Sequence, residues 1–167
     1  MILLTVGTQL PFDRMVKTVD DWAVDEDRSD VMAQVGPSKY PTSRLNSFSF
    51  SNPADMRRLQ EKSDLIIAHA GIGSIVTALE LGKPIIVMPR DHERGEHRNG
   101  HQKATARRFQ SVKGIHIAEN EQELITLLRR IDTLIDAHPD ATLSGVASDG
   151  LLDGLRDHLA GTFPAAA

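Results

Sequence analysis

The sequence predicts an α/β protein built on a parallel sheet. Short apolar runs alternate with longer stretches of helical period, which is the pattern of βαβ units. The runs close on glycine- or proline-containing turns. Length agrees: 167 residues, 40% apolar and 25% charged, suit one domain with a real core.

Each element follows from its residues. Residues 2–6 form an apolar run ending at Gly7, as expected of a buried first strand. Pro11 opens a helix carrying Phe12, Met15, Val16, Val19, Trp22 and Ala23 at helical spacing, and the acidic stretch 25–30 closes it. Residues 31–35 read as the second strand, followed by Gly36 and a turn-rich segment with Pro37, Ser38 and Pro41. Residues 45–50 alternate weakly and give a third strand with one apolar face. Ser51 or Asn52 caps a helix that has Pro53 at its first position and runs to about Lys62. Residues 65–68 form the central strand. It leads through His69-Ala70-Gly71-Ile72-Gly73-Ser74 into a helix that runs to about Leu81 and stops at Gly82.

Residues 84–88 are the next strand, ended by Pro89; a polar stretch over 90–100 and a basic helix over about 100–111 follow. Residues 114–117 are a last short strand. Asn120, with Glu123 three residues on, starts an amphipathic helix whose stripe is Leu124, Leu127, Leu128, Ile131, Leu134 and Ile135. It ends before Pro139, and one more short helix is expected near 151–159. With no repeat, heptad run or linker, residues 1–167 read as a single domain, with C-terminal helices over 120–160.

Composition removes whole classes of chemistry. The chain has no cysteine, so disulfides, thiolate metal sites and cysteine nucleophiles are excluded. No apolar run approaches the roughly 18–20 residues that span a bilayer, and the chain opens on MILLTVG with no basic leader, so a cytoplasmic location is expected. The net charge of −4 argues against a nucleic-acid partner. Between Arg90 and Lys113, however, seven Lys/Arg face three acids. A positive window on an acidic chain suits a small anionic ligand.

Ligands of open parallel sheets sit at the C-terminal strand ends. Two turns stand there: Gly7-Thr8-Gln9, and His69 to Ser74. In the second, Gly71 and Gly73 let the backbone approach a ligand, and the next helix offers free N–H groups and a positive dipole end. With the Ser74 hydroxyl and the His69 ring this suits a phosphate or diphosphate, although glycines there also serve tight strand-to-helix packing. A dinucleotide G-x-G-x-x-G needs glycine where Val76 stands, a P-loop needs Gly-Lys-Ser/Thr, and a nucleophile elbow needs G-x-S-x-G. None is present. His97 and His101 share a helical spacing, but Gly100 lies between them and the stretch reads as a polar loop, so no metal is expected. Arg107, Arg108 and Lys113 read as an exposed helix face, or as a docking surface for a partner or anionic lipid headgroups.

HAGIGSIVTALELGKPIIVMPR followed by EHRNGHQ resembles the donor-nucleotide-binding C-terminal half of two-domain (GT-B) glycosyltransferases, a Rossmann-like fold. More closely it is similar to the glycosyltransferase family 28 C-terminal domain as a stand-alone subunit. That group includes the catalytic subunit of the dolichol-linked GlcNAc transferase and the PssE/EpsE-type subunits of exopolysaccharide synthesis. VGTQLPFDRMV resembles the start of these subunits, so the likeness covers about residues 1–117.

The resemblance implies roles. His69 and Gly71 to Ser74 would hold the diphosphate of a UDP-sugar, Gly7 and Thr8 would line the facing side, and Asn99, His101 and Gln102 would meet the sugar hydroxyls. Arg90 would help the helix N-terminus stabilise the departing UDP. Many relatives carry a ribose-contacting glutamate where Thr77 stands, and Glu80 is one turn further on. The implied reaction is inverting, hexosyl transfer from a UDP-sugar to a lipid-linked acceptor, with no cofactor and no metal required.

Two such domains make a complete transferase, so a membrane-associated, PssD-like acceptor-domain subunit is the expected partner. It would place this chain peripherally at the membrane. The residues leave open which chain carries the general base, and whether the chain self-associates. The other class of reading is a non-catalytic nucleotide-sugar-binding or assembly protein with the same fold.

Overall fold

The computed structural model describes residues 1–98 and 100–138. The strands are β1 (Ile2–Thr5), β2 (Val31–Gln34), β3 (Asn46–Phe48), β4 (Leu65–His69), β5 (Ile85–Met88) and β6 (Ile115–Ile117). They form one wholly parallel six-stranded sheet in the order β3-β2-β1-β4-β5-β6. The order reverses between β1 and β4, which pair directly from Ile2↔Leu65 to Thr5↔Ala68. The connections after these two strands leave in opposite directions, which opens a crevice beyond their C-terminal ends.

The helices are α1 (Asp13–Asp25), α2 (Pro53–Lys62), α3 (Ile72–Glu80), α4 (His101–Phe109), α5 (Glu121–Leu128) and α6 (Ile131–Asp136). Strand alternation divides the core in two. Ile2, Leu4, Leu65, Ile67, Ile86 and Met88 pack with Met15, Val16, Val19 and Trp22 of α1 and with Leu124, Leu128, Ile131 and Leu134 of α5 and α6. Ile66, Ala68, Ile85, Val87 and Ile115 pack on the other face with Ile75, Ala78 and Leu79 of α3 and with Ala106 and Phe109 of α4. Burial on both faces is why these strands read as continuous apolar runs. Helix α2 contributes no buried residue.

Both expected polar caps form. Asn52 Oδ1 accepts from the Asp55 N–H at 2.9 Å, with Pro53 in the first helical position. Asn120 Oδ1 accepts from the Glu123 N–H at 2.9 Å, while the Glu123 carboxylate reaches back to the Glu119 N–H at 2.8 Å.

Three boundaries differ from the sequence reading. Helix α1 begins at Asp13, because Phe12 has non-helical backbone (φ −138°, ψ 56°) and is fully buried, and the Pro11 carbonyl is taken by Arg90. Strand β3 ends at Phe48; the Ser49 carbonyl accepts from Gly36 N–H and Phe50 is 56% exposed beyond the sheet. The long C-terminal helix is two helices. At the break Arg130 leaves helical backbone (φ −109°, ψ 12°) and its N–H bonds Leu127 three residues back, while the apolar stripe continues unbroken. The helix expected at 151–159 lies outside the described residues.

Candidate functional site

The β1 end turns sharply at Gly7, whose φ of +80° suits glycine alone among common residues. Gln34, at the matching end of β2 and 2% exposed, holds that turn with both halves of its amide. Its Oε1 accepts from the Gly7 N–H at 3.2 Å and from the Thr5 hydroxyl at 2.7 Å; its Nε2 donates to the Gly7 carbonyl at 3.0 Å and to the Ser49 carbonyl at 2.9 Å.

His69 ends β4 opposite this turn. A Cβ on Gly7 would lie 2.8 Å from His69 Cε1, and one on Gly71 would lie 2.4 Å from His69 Nε2. The two glycines therefore make the slot in which the imidazole sits. Its Nδ1 is buried without a hydrogen-bond partner. Burial, and then the nearby Arg90 charge, push the His69 pKa down to about 4, with the Thr5 carbonyl working weakly the other way. The ring is neutral at pH 7.

Helix α3 starts immediately beyond. Gly71 is its N-cap and supplies no side chain, so the first-turn N–H groups of Ile72, Gly73 and Ser74 face outward uncapped. A Cβ on Gly73 would meet nothing within 4 Å. That glycine answers to no packing need, unlike Gly7 and Gly71.

Arg90 follows β5 and is 3% exposed. Its guanidinium donates to four main-chain carbonyls: Val6 and Leu10 at 2.7 Å, Pro11 at 2.6 Å and Glu96 at 3.1 Å. It also lies over the Phe12 ring, 4.8 Å from the centroid. Burial lowers its pKa to about 10, which leaves it fully charged at neutral pH. Gln102 Oε1 accepts from the Arg90 N–H at 3.0 Å. The 90–96 segment is in turn pinned to α1 by Arg14, which binds both oxygens of Glu96 at 2.8 Å and Glu121 at 3.2 Å.

These elements enclose a cleft of about 360 Å³ lined by Gly7, Thr8, His69, Gly71, Gly73, Ser74, Arg90 and Gln102 from the sequence-derived set, together with Val6, Gln9, Leu10 and His97. Thr77, Glu80 and His101 are not in its lining, and Glu80 faces Arg57 at 3.6 Å. Asn99 lies outside the described residues. No motif marks Gln34 or Arg14, and Glu96 opens the EHRNGHQ stretch without any signal of its pairing with Arg14; only the three-dimensional closure of the loops shows these roles. No described residue of the lining is a carboxylate. Among the described residues no three His, Asp or Glu side chains converge in a way that could hold a metal ion.

Sheet order and cleft position together define an α/β domain of the Rossmann type whose binding crevice is the strand-order reversal. Residues 1–143 match the family model described as glycosyltransferase family 28 C-terminal domain, and the chain belongs to that family. Over 52 residues it is 40% identical to the UDP-N-acetylglucosamine transferase subunit ALG13 of Candida albicans, a stretch that is 31% of this chain and 18% of that protein. The like-named subunit of Debaryomyces hansenii is 40% identical over 60 residues, covering 36% and 27%. The matches thus span less than a third of these relatives' length.

Among solved structures, the NMR solution structure of ALG13 superposes with a TM-score of 0.54 at 24% identity, over 79% of this chain and 85% of that one. The glycosyltransferase SnogD from Streptomyces nogalater gives 0.51 at 20% identity, over 93% and 37%. At these identities the likeness shows the fold: one half of the two-domain glycosyltransferase architecture.

Proposed function

We propose that this chain is the donor-binding subunit of a glycosyltransferase that moves a sugar from a UDP-sugar to a lipid-linked acceptor. The observation that carries the reading is the cleft at the strand-order reversal. Uncapped N–H groups of α3, the neutral His69 ring and the unobstructed face of Gly73 converge there on space for a diphosphate. As the acceptor oxygen attacks the anomeric carbon, the bond to the UDP oxygen breaks and negative charge gathers on the diphosphate. The helix N-terminus and the buried Arg90 charge stabilise it. The acceptor's proton needs a base. Among the described residues the lining offers no carboxylate, and of its two imidazoles His69 is buried and weakly basic, which leaves His97 or a group on a second subunit closing the cleft as the base.

The curated relatives are named as subunits of a UDP-N-acetylglucosamine transferase, which supports that sugar and a partner chain. No described helix is long and apolar enough to cross a membrane. In this reading a membrane-associated partner of the PssD kind brings the lipid-linked acceptor to the cleft. Of the three residues that the family resemblance assigns to the sugar, Gln102 lines the cleft and keeps that role, whereas His101 lies outside the lining. The test is transfer from UDP-GlcNAc to a lipid-linked acceptor by this chain alone, by an acceptor-domain subunit alone, and by both. Turnover only in the mixture is expected. Full turnover by this chain unaided would overturn the half-enzyme reading, and UDP binding with no turnover in any mixture would favour a non-catalytic binding protein.

A further inference from the structure

We infer that Gln34 and Arg90 are positioning residues that set ligand affinity by clamping the Gly7 to Pro11 wall of the cleft from opposite sides. This rests on the cleft being the UDP site. The wall is a loop between β1 and α1, and Gly7 in it has a left-handed backbone. Loops of this kind sample many conformations unless their polar groups are held. Here they are held from two directions. Gln34, at the end of β2, takes the Gly7 N–H and carbonyl together, and also joins the wall to Ser49 beyond β3. Arg90, at the end of β5, takes the carbonyls of Val6, Leu10 and Pro11 and covers the Phe12 ring.

Both side chains are almost fully buried, at 2% and 3% exposed; Gln34 lies outside the cleft lining, and Arg90 at its edge spends its guanidinium on main-chain carbonyls. Their consequence for the ligand is indirect. With the wall fixed, Gly7 stays against the His69 ring and Thr8 stays exposed at the cleft, so binding pays little ordering entropy. The two side chains are not interchangeable with near relatives. Glutamate at 34 would keep the acceptor and lose both donations. Lysine at 90 would keep the charge, but its ammonium has three donors for four carbonyls spread over the 6–11 loop and Glu96.

The experiment compares the wild-type chain with Gln34→Glu and Arg90→Lys. It reads UDP dissociation constants by titration calorimetry and backbone order parameters by ¹⁵N relaxation, well below each melting temperature. Order parameters at residues 7–10 are expected to fall from the rigid range near 0.85 towards about 0.6, with those of α3 unchanged, and the UDP dissociation constant is expected to rise about tenfold. A variant that is folded and less stable, but keeps both the loop order and the affinity, would overturn the clamp. So would a loosened loop with unchanged affinity. If Gln34→Glu does not fold, Arg90→Lys decides alone. If the wild-type chain binds no UDP, the functional reading fails, and the loop order parameters still decide whether the clamp exists.

Discussion

His69 and its flanking glycines show how single residues set this site. The ring's pKa of about 4 lies below the unfolded histidine value of about 6.5. Between those values the unfolded chain binds a proton that the folded chain refuses, so stability falls as pH drops through that window and is fully present above it. Urea unfolding at pH 7 and pH 5 should therefore differ by about 2 kcal/mol from this residue. His116, lowered by burial and then by His138 and Arg130, adds a loss of the same sign. His69→Gln should remove most of the larger part; an unchanged pH dependence in that variant would place the sensitivity elsewhere. The glycines should separate cleanly. Gly71→Ala forces a Cβ into the ring at 2.4 Å and should cost about 1–3 kcal/mol, whereas Gly73→Ala meets nothing and should be neutral or slightly stabilising in chemical denaturation. The sequence exposed all three glycines but could not rank them. Gly7 and Gly71 serve the imidazole, Gly73 serves the open cleft, and that division depends on where the His69 ring packs.

At the scale of elements, the strands and the two capped helices were legible because their signals are local: apolar runs, an Asn before a helix, a Pro at its first position. Asn120→Ala should cost about 1 kcal/mol, read from the shift in urea midpoint, since it leaves the Glu123 N–H unpaired. What the sequence did not show was how segments are tied across the fold. Arg14 on α1 grips Glu96 through two bonds and Glu121 at the start of α5 through a third, and these residues are 82 and 107 positions away. Such pairs carry no spacing rule. Arg14→Met should destabilise by about 2–3 kcal/mol, because it strands a mostly buried carboxylate. A double variant with Glu96→Gln should lose less than the sum of the two single changes. Additive losses would mean that the pair does not act as a unit.

Over the whole molecule, the parallel sheet and its reversal between β1 and β4 explain why turns that are distant in sequence meet at one cleft. The family was legible in the HAGIGS and EHRNGHQ stretches, but the cleft's membership was only partly so: Thr77 and Glu80 follow the same helix away from the lining. A second cavity of about 340 Å³ lies between α1 and α5, where Arg14, Lys17 and Arg129 face Asp21, Asp25, Glu26 and Glu121, so its lining is net acidic and should reject an anion. Titrating UDP into the ¹⁵N-labelled chain distinguishes the two most directly. The largest amide shifts should fall on Gly7, Thr8 and residues 69–74, and Gly73→Val should abolish them while leaving the remaining spectrum folded. Shifts concentrated on α1 and α5, or a Gly73→Val variant that binds UDP as well as the wild-type chain, would contradict the account.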